Sequence, residues 1–314
     1  MTIPAMTPLH LTTPTLTHGG LSTAIGKRVL LKMENLQPSG SFKMRGIGLF
    51  CQRAAARGAS HFVCPSGGNA GFAAAVAGVS LGMHTTIVVP ETTHESVRLK
   101  IRAIGAEVVV HGAVWDESNQ HALQLCEKDG TIYVPPFDHH DIWDGNATLI
   151  DEVRADGVDF DAVICAVGGG GLMCGVLEGL HRNGLGHIPV LAVETEGAAS
   201  LHAAMQAGEL VTLPEIKSIA TSLGAKRVAR QAFEWTKRHD VHSVLVSDAQ
   251  AVSACRRFAD DMRILVEPAC GAALSVAYHC APALAPFEKL LVVVCGGIGV
   301  DLAKLEAWKI QFER

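Results

Sequence analysis

The stretch DAVICAVGGGGLMCG, residues 161–175, joins an apolar, β-branched run to four consecutive glycines and then to a second apolar segment. A strand that passes through glycines into a helix is typical of the βα turn of a parallel sheet. The glycines, Gly168–Gly171, leave backbone N–H groups unshielded, and a helix beginning near Leu172 adds its dipole. The stretch therefore predicts a cradle for an anion at the carboxyl end of a strand.

The spacing of these glycines excludes two common nucleotide-binding motifs. A dinucleotide fingerprint needs glycines at i, i+2 and i+5, and counting from Gly168 or Gly169 the last position falls on Met173 or Cys174. A Walker loop needs Gly-Lys followed by Ser or Thr, which the chain lacks. A phosphate monoester remains as the predicted ligand, and a glycine-rich turn without a ligand is the alternative.

Short β-branched runs alternate with helical patterns along most of the chain. Strands are predicted at 28–33, 61–66, 85–90, 106–112, 131–136, 161–167, 189–194, 243–247 and 289–297. Their irregular spacing argues against the eight regular units of a TIM barrel. The pattern favours an α/β fold of two doubly wound open-sheet domains, in which ligands bind beyond the carboxyl ends of the strands.

Two further segments contain residues that could bind a substrate or react with it. CPSGGNAG, residues 64–71, presents Ser66 and Asn69 before a helical stretch, which favours binding of a small carboxylate, with ordinary N-capping as the alternative. PSGSFKMRG, residues 38–46, holds Lys43 among small residues. A partly desolvated lysine amine is more often neutral and attacks carbonyls, although Lys43 alone would be interpreted as a surface lysine. Together the three segments predict pyridoxal 5′-phosphate holding an amino acid.

Composition narrows the class of protein. The 314 residues are 48% hydrophobic and carry a net charge of -5, which argues against a nucleic-acid partner. None of the nine cysteines has C-x-x-C spacing, so zinc and thioredoxin-like sites are excluded, and the odd count indicates a reducing compartment. The start of the chain lacks the pattern of a signal peptide, and no apolar run is long enough to span a membrane. We expect a cytoplasmic enzyme.

The sequence resembles the fold-type II pyridoxal-phosphate enzymes, which have the tryptophan synthase β-like fold, and within them the liver-type L-serine dehydratases. The motifs that carry this resemblance are PSGSFKMRG, GGNAG, YVPPFD, GGGG, AVETEGA, ILVEPACGAAL and VVCGG, which follow the family's order over essentially the whole chain. The resemblance implies a small domain, 39–140, inserted in a large pyridoxal-phosphate-binding domain, 1–38 and 141–314. It also implies a homodimer.

The resemblance assigns roles to matching residues. Lys43 is implied to form the Schiff base and to act as the catalytic base. The implied cofactor-binding residues are Phe42, Lys43, Asn69, Gly168, Gly169, Gly170, Gly171, Leu172 and Cys295. The implied substrate-binding residues are Ser66, Asn69, Ala70 and Phe137. Glu194, Ala198 and Leu223 match a monovalent cation site, for which K⁺ is expected.

The implied reaction is β-elimination of L-serine to pyruvate and ammonia, with L-threonine, giving 2-oxobutanoate, as a second substrate. Cys295 stands where threonine dehydratases and serine racemases carry serine, which favours the serine dehydratase branch. Gly67 departs from the alanine of the liver enzyme. The alternatives are a threonine dehydratase, a serine racemase or another β-elimination or β-replacement enzyme of this fold. A non-catalytic ligand-binding protein on the same scaffold is a further alternative.

Overall fold

The computed structural model describes residues 7–312, which divide into two compact units. The small unit comprises Gln37–Gly145 and the described residues up to Leu11, and the large unit comprises Thr12–Leu36 and the described residues from Asn146 onward. The predicted division instead assigned residues 1–38 to the large domain. Residues 7–11 belong to the small unit because Gln37 Oε1 accepts from Leu11 N at 2.9 Å and Gln52 Nε2 donates to Thr7 O at 2.7 Å.

The small unit is built on a four-stranded parallel sheet with helices between its strands. Its elements are α2 (Lys43–Ala56), β3 (His61–Cys64), α3 (Asn69–Ser80), β4 (His84–Val89), α4 (Glu95–Ile104), β5 (Glu107–Val110), α5 (Trp115–Leu125) and β6 (Thr131–Tyr133). The strand order is β5-β4-β3-β6. Helix α6 (His140–Ala155) begins in this unit and ends in the large one.

The large unit is built on a six-stranded sheet. Its elements are β1 (Thr15–Thr17), α1 (Gly19–Ile25), β2 (Arg28–Lys32), β7 (Ala162–Ala166), α7 (Gly171–Arg182), β8 (Val190–Thr195), α8 (Ser200–Ala207), α9 (Arg230–Trp235), β9 (Val241–Val246), α10 (Asp248–Met262), α11 (Pro268–Tyr278), β10 (Lys289–Val293) and α12 (Leu302–Phe312). Short 3₁₀ turns occupy Glu34–Leu36, Glu196–Ala198, Thr221–Leu223 and Pro282–Leu284. The strand order is β1-β2-β10-β7-β8-β9, and β1 alone among these strands runs antiparallel to its neighbour.

The predicted fold class is confirmed, because both units alternate strands and helices around parallel sheets. Each of the nine predicted strands is present in the structure, most of them shortened at one end by a residue or more. The sequence missed β1, which has only three residues and lies at the edge of the large sheet. Among residues 7–312, no helix combines the length and the apolar character needed to cross a membrane.

An ion pair between the buried Lys32 and the half-buried Glu152 joins β2 of the large unit to α6. Lys32 is fully buried, and its Nζ donates to Glu152 Oε2 and to Thr13 O, both at 2.6 Å. Thr13 is held in the same group, because its N–H donates to Glu152 Oε2 at 3.2 Å and its hydroxyl to Glu34 Oε1 at 2.6 Å. A buried ammonium is tolerated only when its donors are satisfied, and this network supplies the acceptors.

Lys32→Met should therefore destabilise the protein markedly. The substitution keeps the apolar stem but leaves Glu152 and Thr13 O without the donor they share, which should lower the free energy of unfolding by about 3 kcal/mol. Urea-induced unfolding followed by fluorescence measures the loss. Removing both charges, in Lys32→Met/Glu152→Gln, should recover part of it, because the carboxylate charge that Lys32 balances is then removed as well.

Lys289→Met is the matched control. Lys289 lies on β10, the strand beside β2, and pairs with Asp159 at the protein surface. Water and salt screen this pair, so its loss should cost far less than the loss of Lys32. Equal losses for the two methionine variants would show that the buried network has no special importance.

Candidate active site

Lys43 is the first residue of α2, and its amine lies among residues of the small unit. Its Nζ donates a hydrogen bond to the carbonyl oxygen of Pro136. The same nitrogen lies 5.3 Å from the ring centroid of Phe42 and 5.9 Å from that of Phe137. The small unit thus brings together three residues that the sequence singled out from two segments about ninety positions apart. The Pro136 carbonyl was not predicted.

The predicted carboxylate loop connects β3 to α3. Asn69 is the first residue of α3, and both Asn69 and Ala70 are buried. The N-cap, Gly68, makes no side-chain capping bond, and its own N–H donates to Ser66 Oγ at 3.2 Å. The N-terminus of α3 therefore lacks the side-chain cap that would compete with a ligand, which suits a carboxylate.

Gly67 lies in the middle of this loop, against Val89 at the end of β4 and Thr93 beyond it. A Cβ built on Gly67 would lie 3.1 Å from Thr93 Cγ2 and 3.2 Å from Val89 Cγ1. Both distances are shorter than ordinary van der Waals contact, so a larger residue here must displace Thr93 or Val89. The packing around position 67 therefore leaves little space for a side chain.

The four glycines form a tight turn between β7 and α7 in the large unit. A Cβ on Gly168 would lie 2.9 Å from both Leu223 Cα and Ser222 O. Gly170 is the N-cap of α7 with a φ of 88°, and it makes no side-chain capping bond. A Cβ there would lie 2.4 Å from the Cβ of Ala232, on α9. Neighbouring chain therefore fills the space of any side chain, and backbone N–H groups remain to hold an anion.

Cys295 follows β10 and is 6% exposed. A hydrogen bond with Cys270, together with burial, raises the pKa of the Cys295 thiol well above its usual value. The nearby carboxylate of Glu267 acts in the same direction. The side chain at position 295 is therefore a neutral thiol, which is a weak hydrogen-bonding partner.

Glu267 is a site residue that the sequence analysis missed. Its buried carboxylate accepts from the hydroxyl of Ser222 at 2.5 Å and from the N–H of Gly299 at 3.3 Å. Ser222 in turn packs against Gly168, so Glu267 ties the loop after β10 to the glycine turn. The sequence offered a weak signal, since a carboxylate before Pro268 at the start of α11 looks like an ordinary helix cap.

Glu194, the first of the predicted cation ligands, lies at the end of β8 and is fully buried. Its carboxylate oxygens accept from the N–H groups of Leu201 and His202 at 2.8 and 2.7 Å. Burial raises the pKa of Glu194 to about 7, although these two hydrogen bonds lower it. The other predicted ligands, Ala198 and Leu223, lie in separate 3₁₀ turns of the same unit and are also buried.

A different cluster could in principle hold a metal ion. His139, His140 and Asp141 present ligand atoms within 4.8 Å of one another. The carboxylate of Asp141, however, already binds Arg53 Nη1 at 2.5 Å and Arg57 Nη2 at 3.4 Å. Two guanidinium groups at the same carboxylate repel a cation, so the cluster is better described as an ion-pair network.

Lys43 begins α2 in the small unit, and Gly170 is the N-cap of α7 in the large unit. A lysine and an anion cradle at helix starts are each typical of enzymes that bind a phosphorylated cofactor. The family model described as "Pyridoxal-phosphate dependent enzyme" matches residues 6–296. The chain belongs to this family.

Individual relatives agree with this assignment. The chain is 48% identical over 313 residues to a serine dehydratase-like protein of Homo sapiens, covering 96% of this chain and 94% of that protein. It is 47% identical over 314 residues to an L-serine dehydratase/L-threonine deaminase of Homo sapiens, with 97% and 96% covered. Its structure matches the crystal structure of an L-serine ammonia-lyase from the fungus Rhizomucor miehei with a TM-score of 0.92, at 40% identity and with 97% and 99% covered.

The residues present fit pyridoxal phosphate. The steric closure at Gly168 and Gly170, together with the uncapped start of α7, suits a phosphate group. The amine of Lys43 and the neutral thiol of Cys295 suit the carbonyl and the ring nitrogen of the cofactor. The individual roles of these residues stay predictions.

Gly170→Ala should impair both stability and cofactor binding. The new methyl group meets Ala232 Cβ at 2.4 Å and Val228 Cγ2 at 2.9 Å, so α9 must move away from the turn. We expect a loss of about 2 kcal/mol from overpacking, in addition to about 1 kcal/mol for the left-handed backbone. Urea unfolding of the cofactor-free protein measures the first effect, and titration with pyridoxal phosphate followed by absorbance measures the second.

Gly208→Ala isolates the contribution of the backbone. Gly208 has a φ of 73°, and within residues 7–312 no atom outside its own chain neighbours lies within 4 Å of its built Cβ. This variant should lose only the backbone contribution and bind pyridoxal phosphate normally. If the two alanine variants were equally stable and bound the cofactor equally well, the packing of α9 against the glycine turn would not matter.

Proposed function

We propose that this protein catalyses the β-elimination of L-serine to pyruvate and ammonia, with L-threonine, which gives 2-oxobutanoate, as a second substrate. The observation that carries the proposal is the amine of Lys43, which donates to Pro136 O and lies 5.3 and 5.9 Å from the ring centroids of Phe42 and Phe137. The names of the human relatives and of the fungal L-serine ammonia-lyase support the same reaction.

The family resemblance supports a role toward the cofactor for each of the following residues. Lys43 would bind it covalently, Phe42 would pack on its ring, and Asn69 would contact its phenolic oxygen. Cys295 would face the ring nitrogen. The phosphate would be bound by the backbone of Gly168, Gly169, Gly170 and Gly171 and of Leu172 at the start of α7. When bound, pyridoxal phosphate supplies a conjugated ring that takes up the electrons of the Cα–H bond.

The protein's own groups would bind the substrate and move its proton. Ser66, Asn69 and Ala70 bind the substrate carboxylate at the uncapped start of α3, and Phe137 lines the approach to Lys43. Lys43 Nζ, released when the substrate amine takes its place, then takes the Cα proton as the general base. The β-hydroxyl then leaves, and together with the proton lost from Cα it makes one water. Hydrolysis of the released enamine consumes one water and gives pyruvate and ammonia.

The neutral thiol of Cys295 favours elimination over racemisation. A weak partner at the ring nitrogen stabilises negative charge on the substrate poorly, so departure of the hydroxyl is preferred to return of a proton. Gly67 acts in the same direction, because it offers no side chain that could donate a proton to the opposite face of the substrate. A serine racemase is therefore the less favoured candidate.

We also propose a homodimer that works in the cytoplasm. The family resemblance supports the dimer. The nine cysteines, all free thiols in the structure and mostly buried, support a reducing compartment.

Replacement of Lys43 tests the reaction. Wild-type protein loaded with pyridoxal phosphate should release pyruvate from L-serine, measured with a coupled 2-oxo-acid assay, and Lys43→Ala should lower the rate by about 10²- to 10⁴-fold. Borohydride reduction followed by peptide mapping should find the cofactor on Lys43. The matched control is Lys100→Ala, an exposed lysine on α4, which should change neither result.

Three outcomes would contradict the proposal in different ways. Reduced cofactor on another lysine would reject the assigned base. D-serine accumulating as fast as pyruvate, by chiral chromatography, would favour the racemase. Yellow protein that releases ammonia from no amino acid would favour a ligand-binding protein.

We further propose that Glu194, Ala198 and Leu223 hold a monovalent cation, K⁺. Ser200 adds support, because its hydroxyl, two residues after Ala198, is buried and has no hydrogen-bond partner among residues 7–312. The segment therefore contains a buried oxygen that the described part of the chain leaves without a hydrogen bond. Cation binding and protonation should compete at Glu194, because K⁺ needs the ionised carboxylate.

Stabilisation by K⁺ should therefore rise with pH. The folded-state pKa of Glu194, about 7, lies above that of an unfolded carboxyl group. This group's stabilising contribution is complete below about pH 4 and is lost as pH rises through about 7. Bound K⁺ should offset that loss, so the melting temperature in KCl minus that in tetramethylammonium chloride should be larger at pH 8 than at pH 6. The difference should vanish in Glu194→Gln, and a pH-independent difference would remove Glu194 from the cation site.

A further inference from the structure

Trp115 is an exposed aromatic residue that is tied to the loop between β3 and α3. Its side chain is 47% exposed, yet its indole Nε1 donates a 2.7 Å hydrogen bond to the carbonyl oxygen of Pro65. Pro65 is buried and immediately precedes Ser66, fifty residues before Trp115 in the chain. Burial alone does not account for an aromatic ring that keeps nearly half of its surface in water. The hydrogen bond is therefore the distinctive contact of this residue.

The start of α5 holds Trp115 in a defined position. Glu117 Oε2 accepts from the N–H groups of Ala113 and Val114, at 2.5 and 3.4 Å, and so caps the helix that Trp115 begins. Gly112 has a φ of 80°, and its built Cβ would lie 2.4 Å from Glu117 Cβ. These contacts fix the chain on the N-terminal side of Trp115, so they restrict the movement of its indole N–H.

The hydrogen bond from Trp115 to Pro65 O also fixes the direction of a backbone N–H group in the loop. The carbonyl of Pro65 and the N–H of Ser66 are parts of one planar peptide unit, so fixing the direction of the carbonyl fixes the direction of the N–H. Farther along the loop, Gly67 lies against Thr93, and Asn69 begins α3. Trp115 thus holds the first peptide of a loop whose middle and end are held by other contacts.

We propose that Trp115 is a positioning residue for the substrate carboxylate. The inference rests on the proposed function, in which the loop from Ser66 to Ala70 binds that carboxylate. The indole N–H orients the Pro65–Ser66 peptide before substrate arrives. Without this hydrogen bond the peptide samples other orientations, and the substrate must order it on binding. The chemical step, which depends on Lys43, is unaffected.

If Trp115 has this role, its loss should change KM but not kcat. Loss of uniform binding raises KM and leaves kcat unchanged, whereas damage to the catalytic groups lowers kcat. One hydrogen bond of ordinary strength corresponds to a change of roughly fivefold in affinity. A purely structural role would instead lower the stability of the protein without a selective effect on KM.

Trp115→Phe tests the inference because it keeps an aromatic ring and removes the N–H donor. In the holoenzyme, KM for L-serine should rise roughly fivefold, with kcat within about twofold of wild type. In the protein without substrate, hydrogen exchange followed by mass spectrometry should show faster exchange of the backbone amides of residues 66–70. The exchange experiment requires no catalysis.

Trp235→Phe is the matched control. It makes the same change of ring, but Trp235 Nε1 is buried and has no hydrogen-bond partner among residues 7–312. This variant should keep the wild-type KM and the wild-type exchange of residues 66–70. A comparable rise of KM in both variants would show that loss of an indole at any site is sufficient, and would overturn the assignment of Trp115.

The outcomes separate this inference from the proposed function. Unchanged exchange of residues 66–70 in Trp115→Phe would overturn the inference, whatever the kinetics. Faster exchange with a lowered kcat and an unchanged KM would also overturn it, because the loop would then serve the chemical step. If wild-type holoenzyme released no pyruvate or ammonia, the proposed function would fall and with it the role in carboxylate binding, even where exchange showed that Trp115 holds the loop.

Discussion

The large unit depends on the adjacency of three parallel strands, β10, β7 and β8, in one sheet. Parallel strands end at the same edge, so the residues that follow them are brought together without any further requirement on the sequence. Cys295 follows β10, the glycine turn follows β7, and Glu194 lies at the end of β8. The small unit obeys the same rule, since α3 and α5, which follow β3 and β5, begin at Asn69 and Trp115.

Close contacts between backbone segments and a buried carboxylate give a defined shape to the strand ends of the large unit. The glycine turn is closed by chain from elsewhere in the unit, at Leu223 against Gly168 and at Ala232 against Gly170. Glu267 connects the glycine turn to the loop after β10, because its carboxylate accepts hydrogen bonds from the Ser222 hydroxyl and from the Gly299 N–H. The cradle is therefore shaped by packing from outside, and its N–H donors remain available because no side chain occupies the turn.

The sequence predicted what local patterns encode. Apolar runs that end in glycine located β7 and β10, and small residues around Lys43 marked the start of α2. Contacts between distant segments left no such pattern, which is why the hydrogen bonds of Glu267 and the acceptor of Lys43 were found only in the structure. Strand β1 escaped prediction because three residues at an antiparallel edge are too few to show a period.

The buried carboxylate of Glu267 explains why a neutral group suits position 295, which is proposed to face the ring nitrogen of the cofactor. Glu267 is needed to hold Ser222 and Gly299, and its carboxylate lies close enough to raise the pKa of Cys295. An aspartate at position 295 would therefore be buried beside an existing carboxylate, where desolvation and like-charge repulsion both oppose ionisation. The network that closes the glycine turn thus also disfavours an ionised carboxylate at position 295. If Cys295 faces the ring nitrogen as proposed, the packing of the large unit would favour elimination over racemisation.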